Sequence, residues 1–208
     1  PEVLERTVSL SAERAATRMR LEGVDPPAVA YYLASVREAF EETGILIGHS
    51  SDGGPVRSAA VSPTVLTARN RLLDSSRTFA ETLSDLGAEI DDTAIEYIGH
   101  WITPVAEPRR YDARFFAAVV APESEPAMHE AEMVDAIWIT PSAALERTRE
   151  GSLPMVFPTI KTLEPMTDLS SAADVLAYYR GRSIPSLLPR LVHTPEGISL
   201  RIPEIISE

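Results

Sequence analysis

The sequence predicts one compact domain of the α/β or α+β class that carries a helical insertion. Segments with the periodicity of helices and of strands are interleaved along the 208 residues, but they do not alternate regularly. No internal repeat and no low-complexity linker divides the chain. Its composition, 44% hydrophobic and 24% charged, is that of an ordinary globular protein. We therefore expect residues 1–208 to form a single domain.

Capping signals place the first two helices. Ser11 is a suitable N-cap for a short helix within residues 9–22. Asp25 is the expected N-cap of a second helix, because Pro26 then occupies the first helical position, where proline is favoured. This helix is expected to end at Gly44, since glycine is the commonest residue just after a helix C-terminus.

The remaining elements follow from periodicity and from turn residues. Helical periodicity fills residues 64–86 with a break at Ser75-Ser76, so this stretch is the predicted helical insertion. Residues 190–202 are expected to close the chain as a hairpin. The predicted strands are residues 45–49, 95–103, 111–120 and 133–139, and the further predicted helices begin at Pro141, near Pro158 and at Ser171.

Charge and residue usage exclude several classes of function. The 19 basic and 31 acidic residues give a formal net charge of −12 at pH 7. Such a chain repels nucleic acid and anionic membranes, and it suits a protein that recruits divalent cations. The absence of cysteine excludes disulfides, thiolate zinc sites and cysteine nucleophiles. No apolar run reaches the roughly 18 residues of a membrane span and no signal peptide is recognisable, so we expect a soluble, cytoplasmic protein.

The second helix ends in a concentration of negative charge. Glu38, Glu41 and Glu42 fall on the side opposite the apolar stripe, within an arc of about 100°. The simplest interpretation is the solvated face of an amphipathic helix. Against it, glutamate opposes the macrodipole at a helix C-terminus, and Glu38 and Glu42 repel each other at i,i+4. A hard cation such as Mg²⁺ would relieve this repulsion, and Arg37 is placed to orient the Glu41 carboxylate.

Residues 37–45, Arg-Glu-Ala-Phe-Glu-Glu-Thr-Gly-Ile, resemble the second half of the Nudix box, R-E-U-x-E-E-x-G-U, where U is apolar. All seven specified positions match. The resemblance implies a Nudix-type α/β/α sandwich with a mixed sheet. It also implies a hydrolase that cleaves nucleoside diphosphate derivatives with Mg²⁺ or Mn²⁺ held by Glu38, Glu41 and Glu42.

The first half of the box is absent at its usual spacing, because Val29 stands where that half has a glutamate. The order of later motifs is similar to the coenzyme A diphosphatase branch of the family across most of residues 25–190. Those motifs are Trp101-Ile102-Thr103-Pro104, the run from Arg109 to Phe116, Glu130-Ala131-Glu132 and Trp138-Ile139-Thr140-Pro141. The resemblance implies that residues 1–24 are an insertion in a split box and that 157–208 are a C-terminal extension with extra helices. We expect the glycine loop and the first strands to lie before Pro1.

Other residues are candidates for substrate contacts and proton transfer. Arg109, Arg110 and Arg114 suit phosphate oxygens, although a solvated loop with ordinary ion pairs is an equal alternative. Trp101 is either a core residue or a stacking partner for adenine. Glu132 is a candidate for a further metal ligand or for the general base, and a solvated loop is the alternative. The choice of base between Glu41 and Glu132 stays open.

The best-supported activity at this point is hydrolysis of coenzyme A or acyl-coenzyme A to phosphopantetheine and an adenosine bisphosphate. The alternatives are hydrolysis of ADP-ribose, a dinucleotide or a nucleotide sugar, a Nudix-like domain that binds ligand without catalysis, and a plain acidic interaction domain. The expected partner is a small-molecule diphosphate, without nucleic acid or membrane. Dimers are common among the proteins that the chain resembles, so a homodimer is one expected assembly.

Overall fold

The computed structural model describes residues 9–50, 53–56, 62–90, 93–127, 135–195 and 197–202. The chain divides into two compact units. The first unit comprises Pro1–Glu96 and Ala117–Ile137, and the second comprises Tyr97–Phe116 and Trp138–Glu208. Within the described ranges, no helix combines the length and the apolar character that a membrane crossing requires.

The first unit begins with helices α1 (Ala12–Met19) and α2 (Ala28–Thr43), which pack against each other. The Ser11 hydroxyl accepts a hydrogen bond from the Arg14 backbone N–H, which confirms the predicted cap of α1. Three residues of the predicted apolar stripe of α2 are buried, namely Tyr32, Val36 and Phe40, and its other two, Val29 and Leu33, are half-buried. This face anchors α2 and leaves its opposite side toward solvent.

The predicted start of α2 at Asp25 is wrong, and its predicted end is confirmed. The N-cap is Pro27, in extended conformation and without a side-chain hydrogen bond. A proline disfavours the helical conformation in the residue before it, so Pro26 cannot be helical ahead of Pro27. At the other end Gly44 adopts a φ of 71° and its N–H donates to the carbonyl of Phe40 at 2.9 Å.

The predicted helical stretch 64–86 consists of two helices, α3 (Pro63–Leu73) and α4 (Phe79–Asp85). The break falls where predicted, because Ser75 takes a φ of 61°. A capping box between Thr78 and Glu81 starts α4. Helix α3 packs on α2 and on α4. That these helices are an insertion stays a prediction.

A short antiparallel pair follows α2 and α4. Strand β1 (His49–Ser50) pairs with β2 (Ala88–Glu89). The predicted strand 45–49 is wrong except for its last residue. The N–H of Ile45 donates to the Thr43 hydroxyl at 3.1 Å, and Gly48 has a φ of 152°. The apolar run therefore indicated burial against the core and not strand pairing.

Strand β3 (Ile95–Ile102) is the central strand of a three-stranded sheet with the order β4-β3-β5. Strand β4 is Asp112–Ala118, and β5 (Ser186–Leu187) is parallel to β3. The predictions of 95–103 and 111–120 are confirmed to within two residues. His100 joins the three strands, since its Nε2 lies 2.5 Å from Asp112 Oδ1 and its Nδ1 lies 2.7 Å from Ser186 Oγ.

The later helices of the second unit begin at the predicted positions or one residue away from them. They are α5 (Pro141–Arg149), α6 (Phe157–Leu163), a 3₁₀ turn (Glu164–Met166) and α7 (Ala172–Tyr179). The predicted terminal hairpin is confirmed as β6 (Arg190–Thr194) and β7 (Gly197–Arg201).

The predicted strand 133–139 is wrong for residues 135–139, while 133 and 134 lie outside the described residues. The N–H of Ala136 donates to the side chain of Asp135 at 2.8 Å, so it is not available to a neighbouring strand. Ile137 and Trp138 are exposed, so the apolar character of this run did not indicate burial.

Candidate metal and diphosphate site

The three predicted metal-binding glutamates lie together on the last turns of α2. Glu38 is exposed, and Glu41 and Glu42 are half-buried. The Arg37 Nε donates to Glu41 Oε1 at 2.7 Å, which is the contact expected from their i,i+4 spacing. The buried residues of α2 lie on its other face, and of the three glutamates Glu38 is the one that is exposed, while the Glu41 side chain is only 12% exposed.

The guanidinium of a buried arginine binds the C-terminus of α2, and the sequence alone did not predict this contact. Arg69 of α3 is only 5% exposed, and its guanidinium donates to backbone carbonyls at the helix end. The Nε and Nη2 lie 2.9 and 2.7 Å from the carbonyl of Glu41, and Nη2 lies 2.7 Å from that of Glu42. The Nη1 reaches the carbonyl of Ala127 at 2.5 Å. Burial lowers the pKa of Arg69 below its ordinary value.

A signal for Arg69 was present in the sequence. The buried stripe of α3 follows the spacing i, i+3, i+4, i+7, and the third position of that stripe is an arginine. The stripe consists of Val65, Ala68, Arg69 and Leu72. A charged residue in an apolar stripe requires buried partners. The sequence could not show that those partners are the carbonyls of the glutamate helix.

Carboxylate oxygens have the chemistry that Mg²⁺ and Mn²⁺ prefer. Within the part of the chain that the structure describes, no three acidic or histidine side chains come together closely enough to hold an ion. One or two carboxylates of this helix still suit Mg²⁺, which usually completes its coordination with water and substrate oxygens. Glu132, the further predicted ligand, lies outside the described residues.

The second unit contains a groove of about 470 Å³ that has mainly aromatic and aliphatic walls. Arg109 lies on it, with Tyr111, Ala113 and Phe115 from one face of the strand segment, as their alternation predicts. Trp101 also borders the groove but is 5% exposed. Its indole N–H donates to Thr162 Oγ1 at 3.1 Å and its ring packs edge-on to Phe157, so it is placed as a core residue.

The other two predicted arginines contact protein groups. Arg110 Nε donates to the Thr103 carbonyl at 3.1 Å. Arg114 Nη1 donates to Asp112 Oδ1 at 2.9 Å, and these two residues lie on the same face of the strand. Of the three arginines, the structure places Arg109 on the groove.

The mixed α/β fold and the helix that carries glutamates in the Nudix pattern are features of Nudix proteins. The chain belongs to the Nudix family. The family described as NUDT19 Nudix domain matches residues 5–166. The chain is also similar to a Nudix hydrolase from Alicyclobacillus acidocaldarius of known crystal structure. That similarity has a TM-score of 0.60 and 30% identity, and it covers 74% of this chain and 67% of the other. The predicted family and fold class are thereby confirmed.

Curated relatives point to one branch of that family. The acyl-coenzyme A diphosphatase NUDT19 of Homo sapiens is 28% identical over 193 residues, which cover 87% of this chain and 51% of the human protein. NUDT19 of Gallus gallus is 27% identical over 176 residues, covering 76% of this chain and 46% of that protein. The chain thus spans about half the length of these relatives.

Proposed function

We propose that this chain hydrolyses the diphosphate bond of coenzyme A or an acyl-coenzyme A with the help of Mg²⁺ or Mn²⁺. The observation that carries the proposal is the position of Glu38, Glu41 and Glu42 on the last turns of α2, with Arg37 bound to Glu41. The substrate class is supported by the name of the human and chicken relatives. A cytoplasmic location, a homodimer and the organisation of residues 1–208 as one domain stay predictions.

The chemistry follows from charge. A diphosphate is anionic, and therefore water attacks it poorly. A divalent cation, when bound, neutralises the phosphate oxygens and lowers the pKa of a coordinated water. Glu38, Glu41 and Glu42 supply the negative charge that holds such a cation, and Arg37 fixes the orientation of the Glu41 carboxylate.

One carboxylate is also needed to accept the proton of the attacking water. Glu41 and Glu132 are the two candidates, and the choice between them stays open. Hydrolysis then breaks the phosphoanhydride bond and yields two phosphate monoesters, which are phosphopantetheine or its acyl form and an adenosine bisphosphate.

In the second unit, we propose Arg109 as the arginine that meets a substrate phosphate. Its support is its place on the groove among Tyr111 and Phe115, because a charged group beside an apolar wall suits a ligand with a phosphate and an apolar part. The guanidinium groups of Arg110 and Arg114 already contact Thr103 and Asp112. Their roles in substrate binding, and that of Trp101, remain predictions.

The test incubates the chain with coenzyme A and Mg²⁺ or Mn²⁺ and measures phosphopantetheine by mass spectrometry. Glu41→Gln and Glu42→Gln are expected to abolish cleavage, because a neutral amide holds a hard cation poorly. Glu146→Gln, which changes an exposed glutamate of α5, is the matched control and should keep full activity. Full activity in both Glu41→Gln and Glu42→Gln would exclude the metal role.

The same assay separates the alternatives. Cleavage of ADP-ribose, a dinucleotide or a nucleotide sugar in preference to coenzyme A would reassign the substrate. Binding of coenzyme A without turnover, even with Mn²⁺, would indicate a ligand-binding domain. The absence of any shift in melting temperature with divalent cations would favour an acidic interaction domain.

A further inference from the structure

A buried guanidinium lies directly beneath the proposed metal-binding turn. Arg69 donates four hydrogen bonds to three carbonyls, two of which belong to Glu41 and Glu42 themselves. The third carbonyl belongs to Ala127, whose own N–H donates to the carbonyl of Thr43 at 2.8 Å. The end of α2, the residue Ala127 and the side chain of Arg69 are therefore linked to one another in a closed set of contacts.

This arrangement answers two electrostatic needs. The last carbonyls of a helix have no partner within the helix, and they form its negative end. The last turn of α2 contains no basic residue of its own. Arg69 satisfies those carbonyls from α3, and in return they solvate a cation that is withdrawn from water.

The contact is specific to the backbone that carries the glutamates. Arg69 binds the carbonyls of two consecutive residues. It therefore restrains both the position of the last turn along the helix axis and its rotation about that axis, and this turn directs Glu41 and Glu42. Lysine could not reproduce this, since an ammonium lacks the planar fork of donors that reaches several carbonyls at once.

We propose that Arg69 is a positioning residue for the metal-binding glutamates. It fixes the last turn of α2 and offsets its negative end, so that Glu41 and Glu42 are held ready to bind a divalent cation. The proposal rests on the proposed function and adds to it a determinant of cation affinity that lies in another helix.

The test measures Mn²⁺ binding directly, by electron paramagnetic resonance of the free ion, and needs no substrate. Arg69→Met removes the donors but keeps the apolar stem, and Arg69→Lys keeps the charge. Arg71→Met is the matched control, because it removes the same charge from an exposed position of α3. We expect the Mn²⁺ Kd to rise about ten-fold or more in Arg69→Met, less in Arg69→Lys, and less than two-fold in Arg71→Met.

A merely structural role for Arg69 gives a different result. Partial unfolding would lower the number of Mn²⁺ sites per chain and leave the Kd of the remaining sites unchanged. That pattern would overturn the proposal, as would equal affinities in Arg69→Lys, Arg71→Met and the unmodified chain. Arg69→Lys decides the matter if Arg69→Met does not fold.

The same measurements distinguish a failure of the proposed function from a failure of the inference about Arg69. If the unmodified chain binds no Mn²⁺, both proposals are wrong. If Glu42→Gln weakens binding while the Arg69 variants do not, the glutamate site stands and the inference about Arg69 is wrong.

Discussion

Replacement of Phe40 by alanine tests whether the buried face of α2 sets the direction of the glutamates. Phe40 is 0% exposed and directly precedes Glu41. Full burial of a phenylalanine contributes about 1.5–3 kcal/mol through removal of apolar surface from water. Because the surrounding core closes only partly over the space that is left, the total cost of Phe→Ala is about 3–5 kcal/mol. Against a typical free energy of unfolding of about 5–15 kcal/mol, this is a large fraction.

The assay is urea unfolding followed by far-UV circular dichroism, in the presence of EDTA so that cation binding does not contribute. The free energy of unfolding should fall less in Phe40→Leu than in Phe40→Ala, since leucine leaves a smaller cavity. Glu38→Ala is the control on the exposed face and should stay within about 0.5 kcal/mol of the unmodified chain. A loss below about 1 kcal/mol in Phe40→Ala would refute the reasoning, because Phe40 would then not anchor the helix.

Three further predictions concern the surroundings of the site. In Gly48→Ala the new Cβ would lie 2.7 Å from the Glu89 carbonyl oxygen, and the backbone φ at this position is 152°. We therefore expect the free energy of unfolding, measured in urea, to fall by about 2 kcal/mol or more. An unchanged urea midpoint would contradict this. Hydrogen bonds from the N-cap of α4 lower the pKa of Glu81 below 4.5, so its stabilising effect is present above pH 4.5 and is lost as the pH falls through the lowered pKa. Glu81→Gln should therefore show a smaller drop in melting temperature between pH 6 and pH 3, and an equal drop would refute this. Thr162→Val leaves the buried indole N–H of Trp101 without its acceptor, which should cost about 1–3 kcal/mol and alter tryptophan fluorescence; no change in either would show that the bond is not formed.

Helix boundaries were predictable where a single residue supplies the cap. Ser11, Ser171 and Thr140 each accept a hydrogen bond from a backbone N–H three residues later, so these helices begin where the sequence indicates. The start of α2 was not, because two consecutive prolines constrain each other. A capping rule that considers Asp25 and Pro26 alone does not contain that constraint.

Strands were predictable only when they were long. Strand β3 is buried over seven of its eight residues and has a strong apolar signal. Strands β1, β2 and β5 have two residues each, which is too short for any period to be visible. Apolar composition also misled at 45–49 and 135–139, because it does not report whether the backbone has a strand partner.

In the candidate site, contacts between residues close in sequence could be predicted, whereas contacts between distant residues could not. The pairing of Arg37 with Glu41 and of Asp112 with Arg114 follows from helix and strand periodicity, so it could be predicted. The contact of Arg69 with Glu41 spans 28 residues, and no local pattern encodes its partner. The sequence indicated only that Arg69 needs a buried partner, because this arginine lies within the apolar stripe of α3.

The electrostatics of α2 bear on what a cation would do here. Each unfavourable element at its C-terminus, the macrodipole and the i,i+4 repulsion of Glu38 and Glu42, costs up to about 1 kcal/mol. A hydrogen bond from a charged donor contributes about 1.5–3 kcal/mol, and Arg69 makes four to carbonyls, two of them to Glu41. These contacts are large enough to offset the repulsion without any bound ion. The helix end is therefore stabilised by the protein itself, through the contacts of Arg69.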